Sequence, residues 1–300
     1  RSGWGLWCPL RWSLLSRVLA VLGLIVGYWV LHAGQNLAEV GYSYARGFRE
    51  EEMLRLRDLV GNRSADLGPA PGNATRERAR IPKILHRTWK EANISTVPNP
   101  KWEACYKFCK KKHPRWDVIL WTDETGRTLV AEHYPWFLED YDGYAYPIQR
   151  VDALRYFLLH RYGGVYMDLD VSCRRTLDEL VDAVPPGAAL VPLTTPVGLS
   201  NDVLAAPAGH PFFELLIHSL HDANRWYGAP YPTVFFSTGP SFLTSRFLFG
   251  PAEATRNVRV MAHDVLQGLN GEEEPSGGFF VHVVGSSWHS ADAKLVAGVV

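Results

Sequence analysis

Two aspartates, Asp168 and Asp170, directly follow a short apolar segment that runs from Val165 to Met167. The segment is predicted to be a buried strand, so both carboxylates fall at its carboxyl end, the edge where ligands bind in open α/β sheets. Paired carboxylates suit a hard divalent cation, which takes oxygen ligands and often shares them with substrate phosphates. The pattern therefore favours a metal site, although Asp-x-Asp alone also occurs by chance in surface loops.

The element that must position these carboxylates is the helix that precedes them. Pro147 suits a first helical turn, where its missing N–H costs nothing, and Gly163 with Gly164 is predicted to end the helix. Within this helix Asp152 and Arg155 are three residues apart and share a face. Such a pair is often an ordinary surface ion pair, but its place one helix before the Asp-x-Asp strand favours a role in the site.

A long, ordered set of motifs around this helix carries a family resemblance. The central motif is Arg150-x-Asp152-x-x-Arg155, then Gly163-Gly164-x-Tyr166-x-Asp168-x-Asp170. Further blocks are Ile81-Pro82-Lys83-Ile84-Leu85-His86-x-x-Trp89, Pro114 to Asp123, and Gly285-Ser286-Ser287-Trp288-His289. Together they resemble the family 32 glycosyltransferases, the fungal mannosyltransferases and their relatives, over residues 81 to 292.

The resemblance implies a GT-A fold, an α/β nucleotide-sugar-binding sandwich with a mostly parallel mixed sheet. The residues favour the same class, because a strand at 81–86, a helix at 101–112 and a strand at 117–121 suggest parallel α/β order. The family also implies a retaining transfer from a nucleotide sugar, with Mn²⁺ or Mg²⁺ as the cofactor. No covalent nucleophile is evident, so the acceptor hydroxyl is expected to attack beside the leaving diphosphate.

The resemblance also assigns roles to individual residues. The implied metal ligands are Asp168, Asp170 and His289, with His282 as a second choice. The implied catalytic and sugar-binding residues are Asp152, Arg155, Asp168, Asp170, Asn201 and Asp202. The implied nucleotide-binding residues are His86, Trp89, Arg150, Tyr166, Ser287 and Trp288. Two alternatives stay open: Trp89 is a base-stacking platform or a core aromatic, and Asn201-Asp202 faces the sugar or forms a plain turn.

The first 80 residues are predicted to be an anchor and a stem, which gives a membrane segment at 1–34, a lumenal stem at 35–80 and a catalytic domain at 81–300. The run from Leu14 to Ala33 has about the 20 residues that cross a bilayer. Positive charge before this run predicts a single-pass type II protein of the Golgi membrane. A cleavable signal peptide is the alternative.

Features of the predicted stem agree with a lumenal body. The charged stretch Glu50-Glu51-Glu52-x-x-Arg55-x-Arg57 predicts a solvated helix, and a Pro/Gly stretch at 68–72 predicts a flexible break. Glycosylation acceptors occur at Asn62, Asn73 and Asn93. Cys8 precedes the span, whereas Cys105, Cys109 and Cys173 follow it. At most one disulfide is expected among these three, and its pairing is left open.

The predicted activity is transfer of mannose from GDP-mannose to the membrane lipid inositol phosphorylceramide in sphingolipid biosynthesis. A regulatory membrane subunit is a candidate partner, and nucleic acid is not, because the formal net charge is zero. Arg87, Arg150 and His289 are expected at the mouth of the site, facing the lipid phosphate. Three alternatives remain: an α-1,6-mannosyltransferase of N-glycan outer chains, an aspartate-nucleophile phosphatase, which would use Asp168-Leu169-Asp170-Val171, and a non-catalytic lectin.

Overall fold

The structure is a computed structural model, and it describes residues 21–24, 27, 34, 38, 41–42, 46–55, 79–194, 198–266 and 278–283. The chain divides into two units, Arg1–Tyr42 and Ser43–Val300. Among the described residues, no helix is both long enough and apolar enough to cross a bilayer. Most of the predicted span, and the acceptors Asn62 and Asn73, lie outside those residues.

Helices and strands alternate through most of the second unit. The strands are β1 (Met53–Leu54), β2 (Ile84–Thr88), β3 (Asp117–Trp121), β4 (Gly164–Met167), β5 (Val171–Cys173), β6 (Ala189–Pro192), β7 (Val203–Ala206), β8 (Val258–Met261) and β9 (Phe280–His282). The helices are α1 (Pro100–Lys112), α2 (Asp123–His133), α3 (Leu138–Gly143), α4 (Pro147–Tyr162), α5 (Leu177–Ala183), α6 (Pro211–Ala223), α7 (Pro230–Ser237), α8 (Pro240–Phe249), α9 (Ala252–Thr255) and α10 (His263–Leu266). Short 3-10 turns are Glu50–Glu52, Ile94–Thr96 and Pro135–Phe137.

The main sheet is mixed and mostly parallel, as predicted. Its strand order is β1-β8-β6-β7-β4-β2-β3. Only β7 runs against its neighbours, β6 and β4, whereas the other adjacent strands in this order are parallel. A separate two-stranded sheet pairs β5 with β9. The carboxyl ends of β2, β3 and β4 therefore lie together at one edge.

The turn between α4 and β4 depends on two glycines, as the sequence predicts. Gly163 has φ of 64° and Gly164 has φ of 97°, which side chains rarely adopt. A Cβ on Gly163 would lie 2.5 Å from the backbone nitrogen of Ala208, and one on Gly164 would lie 2.6 Å from the carbonyl oxygen of Ile84. The close approach lets a buried helix lead directly into a buried strand.

Apolar side chains cover both faces of the main sheet. On one face α4, α6 and α8 contribute a core that includes Tyr156, Phe157 and Phe212. On the other face Leu85, Val165 and other strand residues pack with α5. Helix α4 is buried around most of its circumference, which is broader than the single apolar stripe predicted from its sequence. Because the helix lies inside the domain, its polar residues must find partners there.

The structure corrects one expectation about the amino-terminal part and supplies the cysteine pairing that the sequence left open. Met53–Leu54 is not part of a solvated helix; it pairs in parallel with β8 and forms the edge of the main sheet. The sheet therefore includes residues that were predicted to belong to the stem.

Cys109 of α1 forms a disulfide with Cys173 of β5, with the two Cα atoms 5.4 Å apart, and Cys105 is a buried free thiol. The disulfide joins a helix to the strand that follows the Asp-x-Asp turn.

Candidate active site

A cavity of about 490 Å³ opens at the carboxyl edge of β2 and β4. Part of its lining is a set of polar residues, which we call the acidic wall: Asp152, Arg155, Asp168, Asp170 and Asn201. Another part, which we call the apolar side, includes Tyr146, Ile148, Tyr231, Val234 and Pro240. Helix α4, the Asp-x-Asp turn after β4 and the turn before β7 converge on this cavity, so the structure brings these sequence-predicted residues together.

Asp152 and Arg155 form the buried part of the acidic wall. Arg155 Nη2 donates to Asp152 Oδ1 at 2.6 Å, and the side chains are only 3% and 7% exposed. Asn201 Nδ2 also donates to Asp152 Oδ1 at 3.1 Å, and Thr238 Oγ1 donates to Oδ2 at 3.2 Å. Burial raises the pKa of Asp152 to about 6, and the Arg155 charge opposes this shift. The ion pair is therefore a desolvated, hydrogen-bonded element of the site and not an ordinary surface pair.

Asp168 is held in place by its neighbours on both the side chain and the backbone. Tyr166 donates its hydroxyl to Asp168 Oδ1 at 2.7 Å, and Arg155 Nη1 lies 3.3 Å from the same oxygen. The Arg155 guanidinium also lies over the Tyr166 ring, 4.7 Å from its centroid. Arg87 Nη1 donates to the carbonyl oxygens of Asp168 and Val171 at 2.5 and 2.9 Å. Asp168 is thus oriented before any ligand arrives.

Asp170 is less satisfied and more strongly perturbed. Its Oδ1, like Oδ1 of Asp202, is buried without a hydrogen-bond partner among the described residues. Burial, with a further contribution from the Asp168 charge, raises the pKa of Asp170 to about 7. Burial likewise raises the pKa of Asp202. His282 Nε2 lies 3.5 Å from Asp170 Oδ2.

These donors fit a divalent cation. Two buried carboxylate oxygens without partners, beside a third carboxylate, form an oxygen-rich position that a cation charge would satisfy. Asp170 and Asp168 are the residues in place to hold such an ion, and Asp202 lies near them but does not line the cavity. Within the described residues, no group of three or more histidine, cysteine or acidic side chains forms a complete site. His289, the predicted third ligand, and the neighbouring Ser287 and Trp288 lie outside the described residues.

Arg87 is not at the mouth of the site, which corrects the expectation that it contacts the acceptor. Its side chain is fully buried beneath the Asp-x-Asp turn, and burial lowers its pKa to about 10. Neighbouring strand residues point to opposite faces of a sheet, so Arg87 and His86 could not both face the same ligand. Arg87 instead orients the turn through the two carbonyl oxygens that it contacts.

Three predicted nucleotide-binding residues lie outside the cavity lining. His86 is fully buried; its Nε2 lies 2.8 Å from the Gly163 carbonyl oxygen, and its Nδ1 accepts from Trp121 Nε1 at 3.0 Å. Tyr166 is also fully buried and reaches the site only through Asp168. Arg150 donates to the carbonyl oxygen of Tyr144 at 3.2 Å. None of the three lines the cavity, and their nucleotide-binding role stays a prediction.

Trp89 lines the cavity, whereas Asp202 does not. Trp89 is half-exposed, with its Nε1 donating to Thr96 Oγ1 at 2.8 Å and its ring edge-on to Trp102. It is thus placed where a base could stack. Asp202 lies behind the lining, where its carbonyl oxygen accepts from the Asp168 backbone N–H at 2.8 Å. The contacts of both residues leave their predicted roles as proposals.

Sequence reasoning missed part of the site on the apolar side. Tyr231 and Val234 of α7 line the cavity, and neither was singled out. The signal was present, because residues 226–236 contain several aromatics and no charge. Thr238, which the sequence analysis does not assign to the site, donates to Asp152. Its role depends on a contact across 86 positions of sequence, which no local pattern shows.

Comparison with known proteins decides the family. Residues 99–185 match the glycosyltransferase sugar-binding region containing the DXD motif. Inositol phosphoceramide mannosyltransferase 1 of Schizosaccharomyces pombe is 41% identical over 248 residues, which cover 81% of this chain and 70% of the relative. The chain belongs to this glycosyltransferase family. Mannosyl phosphorylinositol ceramide synthase SUR1 of Saccharomyces cerevisiae is 40% identical over 222 residues, covering 72% of this chain and 54% of the relative.

The chain covers only part of the length of its relatives in this glycosyltransferase family. The chain spans 59% of inositol phosphoceramide mannosyltransferase 3 of Schizosaccharomyces pombe, at 42% identity. Among solved structures, the PaToxG glycosyltransferase has a TM-score of 0.41 at 14% identity and covers 60% of this chain and 76% of its own. That structural likeness is distant, so the description of the fold rests on the sheet order given above.

Proposed function

We propose that this glycosyltransferase transfers mannose from GDP-mannose to inositol phosphorylceramide, with retention at the anomeric carbon and with Mn²⁺ or Mg²⁺ as cofactor. The observation that carries the proposal is the acidic wall that lines the cavity. The chain that contains it is 41% identical to inositol phosphoceramide mannosyltransferase 1 and 40% identical to SUR1. The printed names of those relatives supply the acceptor class. The site in the Golgi lumen and the membrane anchor are part of the same proposal.

The buried pair explains how the sugar would be held. Asp152 and Arg155 both line the cavity. The Asp152 carboxylate accepts from Arg155, Asn201 and Thr238, and Arg155 also donates to the Asn201 carbonyl oxygen, so both side chains are fixed. Fixed donors and acceptors of this kind can bind sugar hydroxyls without reorganising during the reaction. We therefore assign sugar binding to Asp152, Arg155 and Asn201.

The Asp-x-Asp turn explains where the donor diphosphate would sit. We assign Asp170 and Asp168 to a divalent cation, with Asp202 behind them. When bound, the cation would neutralise the negative charge that develops on the departing diphosphate. Arg87 holds the backbone of the turn, and Tyr166 fixes Asp168, so the carboxylates keep their positions. Trp89 is assigned to stacking against the donor base.

The test is a donor and acceptor screen with the purified full chain in detergent. We expect mannosylated inositol phosphorylceramide from GDP-mannose, and no product with UDP-glucose. Products are identified by chromatography and mass spectrometry, and a chelator should stop transfer until the metal is restored. Transfer to an N-glycan with none to the lipid would instead support the outer-chain mannosyltransferase. Hydrolysis of a generic phosphate ester without nucleoside diphosphate release would support the phosphatase.

A further inference from the structure

An unusual surface lies beside the cavity, which we call the aromatic lip: Trp226, Tyr227, Tyr231, Phe235 and Phe236. These five aromatics fall within residues 226–236, a stretch without a charged side chain. The side chain of Trp226 is 46% exposed, and the other four are half-buried. Aromatic residues of a core are normally covered on all sides, so this stretch has more apolar surface than the fold requires.

The rings of the lip touch one another from the cavity outward. Tyr231 stacks on Phe235 at a centroid distance of 5.6 Å, and Phe235 meets Phe236 edge-on at 5.3 Å. Phe236 in turn stacks on Tyr227 at 5.5 Å. Since Tyr231 also lines the cavity, a continuous row of rings leads from the site to Tyr227, and the exposed Trp226 is the next residue along the chain.

The lip is held in a fixed position. Thr233 accepts from the backbone N–H of Tyr227 at 3.0 Å, which ties the preceding loop to α7. Ser237 of the same helix accepts from Gln149 Nε2 at 2.8 Å, which ties α7 to the buried helix α4 of the acidic wall. These two hydrogen bonds therefore connect the loop and helix of the lip to the helix that carries Asp152 and Arg155.

Cationic side chains flank the lip and the cavity. Arg225 is exposed and lies over the Tyr227 ring, 5.1 Å from its centroid. Lys90 lines the cavity and lies over Trp89 at 5.9 Å. Aromatic rings with basic groups beside them match the boundary of a bilayer, where hydrocarbon meets anionic phosphate.

We propose that the aromatic lip seats the domain on the bilayer that carries its acceptor, with the rings at the boundary between hydrocarbon and headgroups. The inference rests on the proposed lipid acceptor. A phosphodiester headgroup would then reach the cavity beside Tyr231, and its ceramide would stay in the membrane. The basic side chains beside the lip and the continuity of the lip with the cavity favour a lipid surface over a second copy of the chain. A second copy docked there would cover the cavity mouth and block access of the acceptor.

The first experiment measures the depth of Trp226 in a membrane. The full chain is reconstituted in vesicles of phosphatidylcholine with a minority of phosphatidylinositol, brominated near the headgroup end of the acyl chains. We expect the quenched fraction of tryptophan emission to fall in Trp226→Phe. The matched control is Trp136→Phe, because Trp136 is 48% exposed and its ring stacks on His218 of α6, which is not a lip residue. Its loss should not lower the quenched fraction.

Equal behaviour of the two variants would overturn the lip as a membrane surface. A change of oligomeric mass in detergent on Trp226→Phe, without any change in quenching, would also overturn it in favour of contact between copies. Quenching is read without catalysis, so it separates the two proposals. If Trp226 is quenched but no lipid is mannosylated, the surface stands and the acceptor assignment fails.

The second experiment uses activity as the readout. The double variant Trp226→Ser/Phe235→Ser changes two lip residues that do not line the cavity. We expect its KM for vesicle-borne acceptor to rise about tenfold, as loss of apolar burial predicts, with donor hydrolysis unchanged. An unchanged KM for the acceptor, or an equal loss of donor hydrolysis, contradicts the proposal.

Discussion

The acidic wall and the aromatic lip meet at one cavity but are built in opposite ways. In the wall, Asp152 and Arg155 are buried and bonded to side chains from three other parts of the chain. In the lip, rings contact one another and remain partly exposed. The wall is therefore costly to disturb, since a buried charge needs its partner, whereas the lip can lose a ring at little cost to folding.

The difference also separates the two substrates in the proposed reaction. A nucleotide sugar presents charges and hydroxyls that need fixed polar partners, and the wall supplies them. A lipid presents an apolar body and one charged headgroup, which suit a broad surface with basic groups at its side. We expect changes in the wall to affect chemistry and stability together, and changes in the lip to affect acceptor use alone.

The largest effect is expected for Asp170→Asn. Removing one carboxylate charge should lower transfer about a thousandfold, because the cation that stabilises the diphosphate loses a ligand. Transfer and donor hydrolysis are measured together, with circular dichroism to verify the fold. Asp182→Asn on the exposed face of α5 is the matched control and should keep full activity. Near-normal transfer by Asp170→Asn in excess Mn²⁺ would contradict the ligand assignment.

The next effect concerns stability. Asp152→Ala leaves Arg155 buried without its carboxylate, which should lower the free energy of unfolding by about 3–5 kcal/mol. Denaturant unfolding measures the change. The comparison is Asp142→Ala, which breaks the exposed Arg127–Asp142 pair and should change stability little. If both variants lose the same stability, the wall is no more tightly built than the surface.

The disulfide is expected to support the wall and not the lip. Replacing Cys109 and Cys173 by serine opens a link across 64 positions of sequence, which should lower the free energy of unfolding by about 2–4 kcal/mol. Amide exchange should become faster in β5 while residues 226–236 stay as protected as before. Faster amide exchange in the lip, without a change in β5, would contradict this prediction. Cys105→Ser, which breaks no disulfide, is the control.

A smaller effect should separate the two aromatic groups at the cavity. Trp89→Ala is expected to raise the KM for the donor about fivefold, with little effect on the acceptor, because it removes a stacking surface. Tyr231→Ala should do the reverse at a similar size. Steady-state kinetics with each substrate varied in turn gives both constants. A parallel rise of both constants in either variant would mean that the cavity is not divided in this way.

The smallest expected effect is on pH dependence. Burial lowers the pKa of His86 from 6.5 to about 4, so the unfolded chain takes up its proton first as the pH falls. This residue therefore contributes stability above pH 6.5 that is lost toward pH 4, by at most about 1.4 kcal/mol for each pH unit. Asp152 has a raised pKa and acts in the opposite sense. The free energy of unfolding is measured against pH for His86→Gln and for the native chain, and the difference between the two slopes gives the contribution of the histidine. Equal slopes would contradict its buried, neutral state.

The helix and the strand that precede the Asp-x-Asp turn were correctly predicted because their signals are local. Proline at the start of α4 and glycines at its end set the helix bounds, and the following apolar run set β4. The beginning of β2 was predicted too early. Pro82 has no N–H to donate, and its carbonyl oxygen instead accepts from the backbone N–H of Ile84, so the ladder with β3 begins at Ile84. The strand then extends to Thr88 because β3 offers partners up to Trp121.

The sequence by itself determined the class of the protein and predicted which carboxylates meet at the cavity, since both depend on residue types at short fixed spacings. The tertiary structure alone decided which cysteines pair, that Met53–Leu54 completes the sheet, and that Arg87 lies beneath the Asp-x-Asp turn. It also decided that the rings of 226–236 meet at the cavity mouth. These are contacts between residues far apart in sequence, and they follow from which buried groups can be satisfied together, not from any local preference.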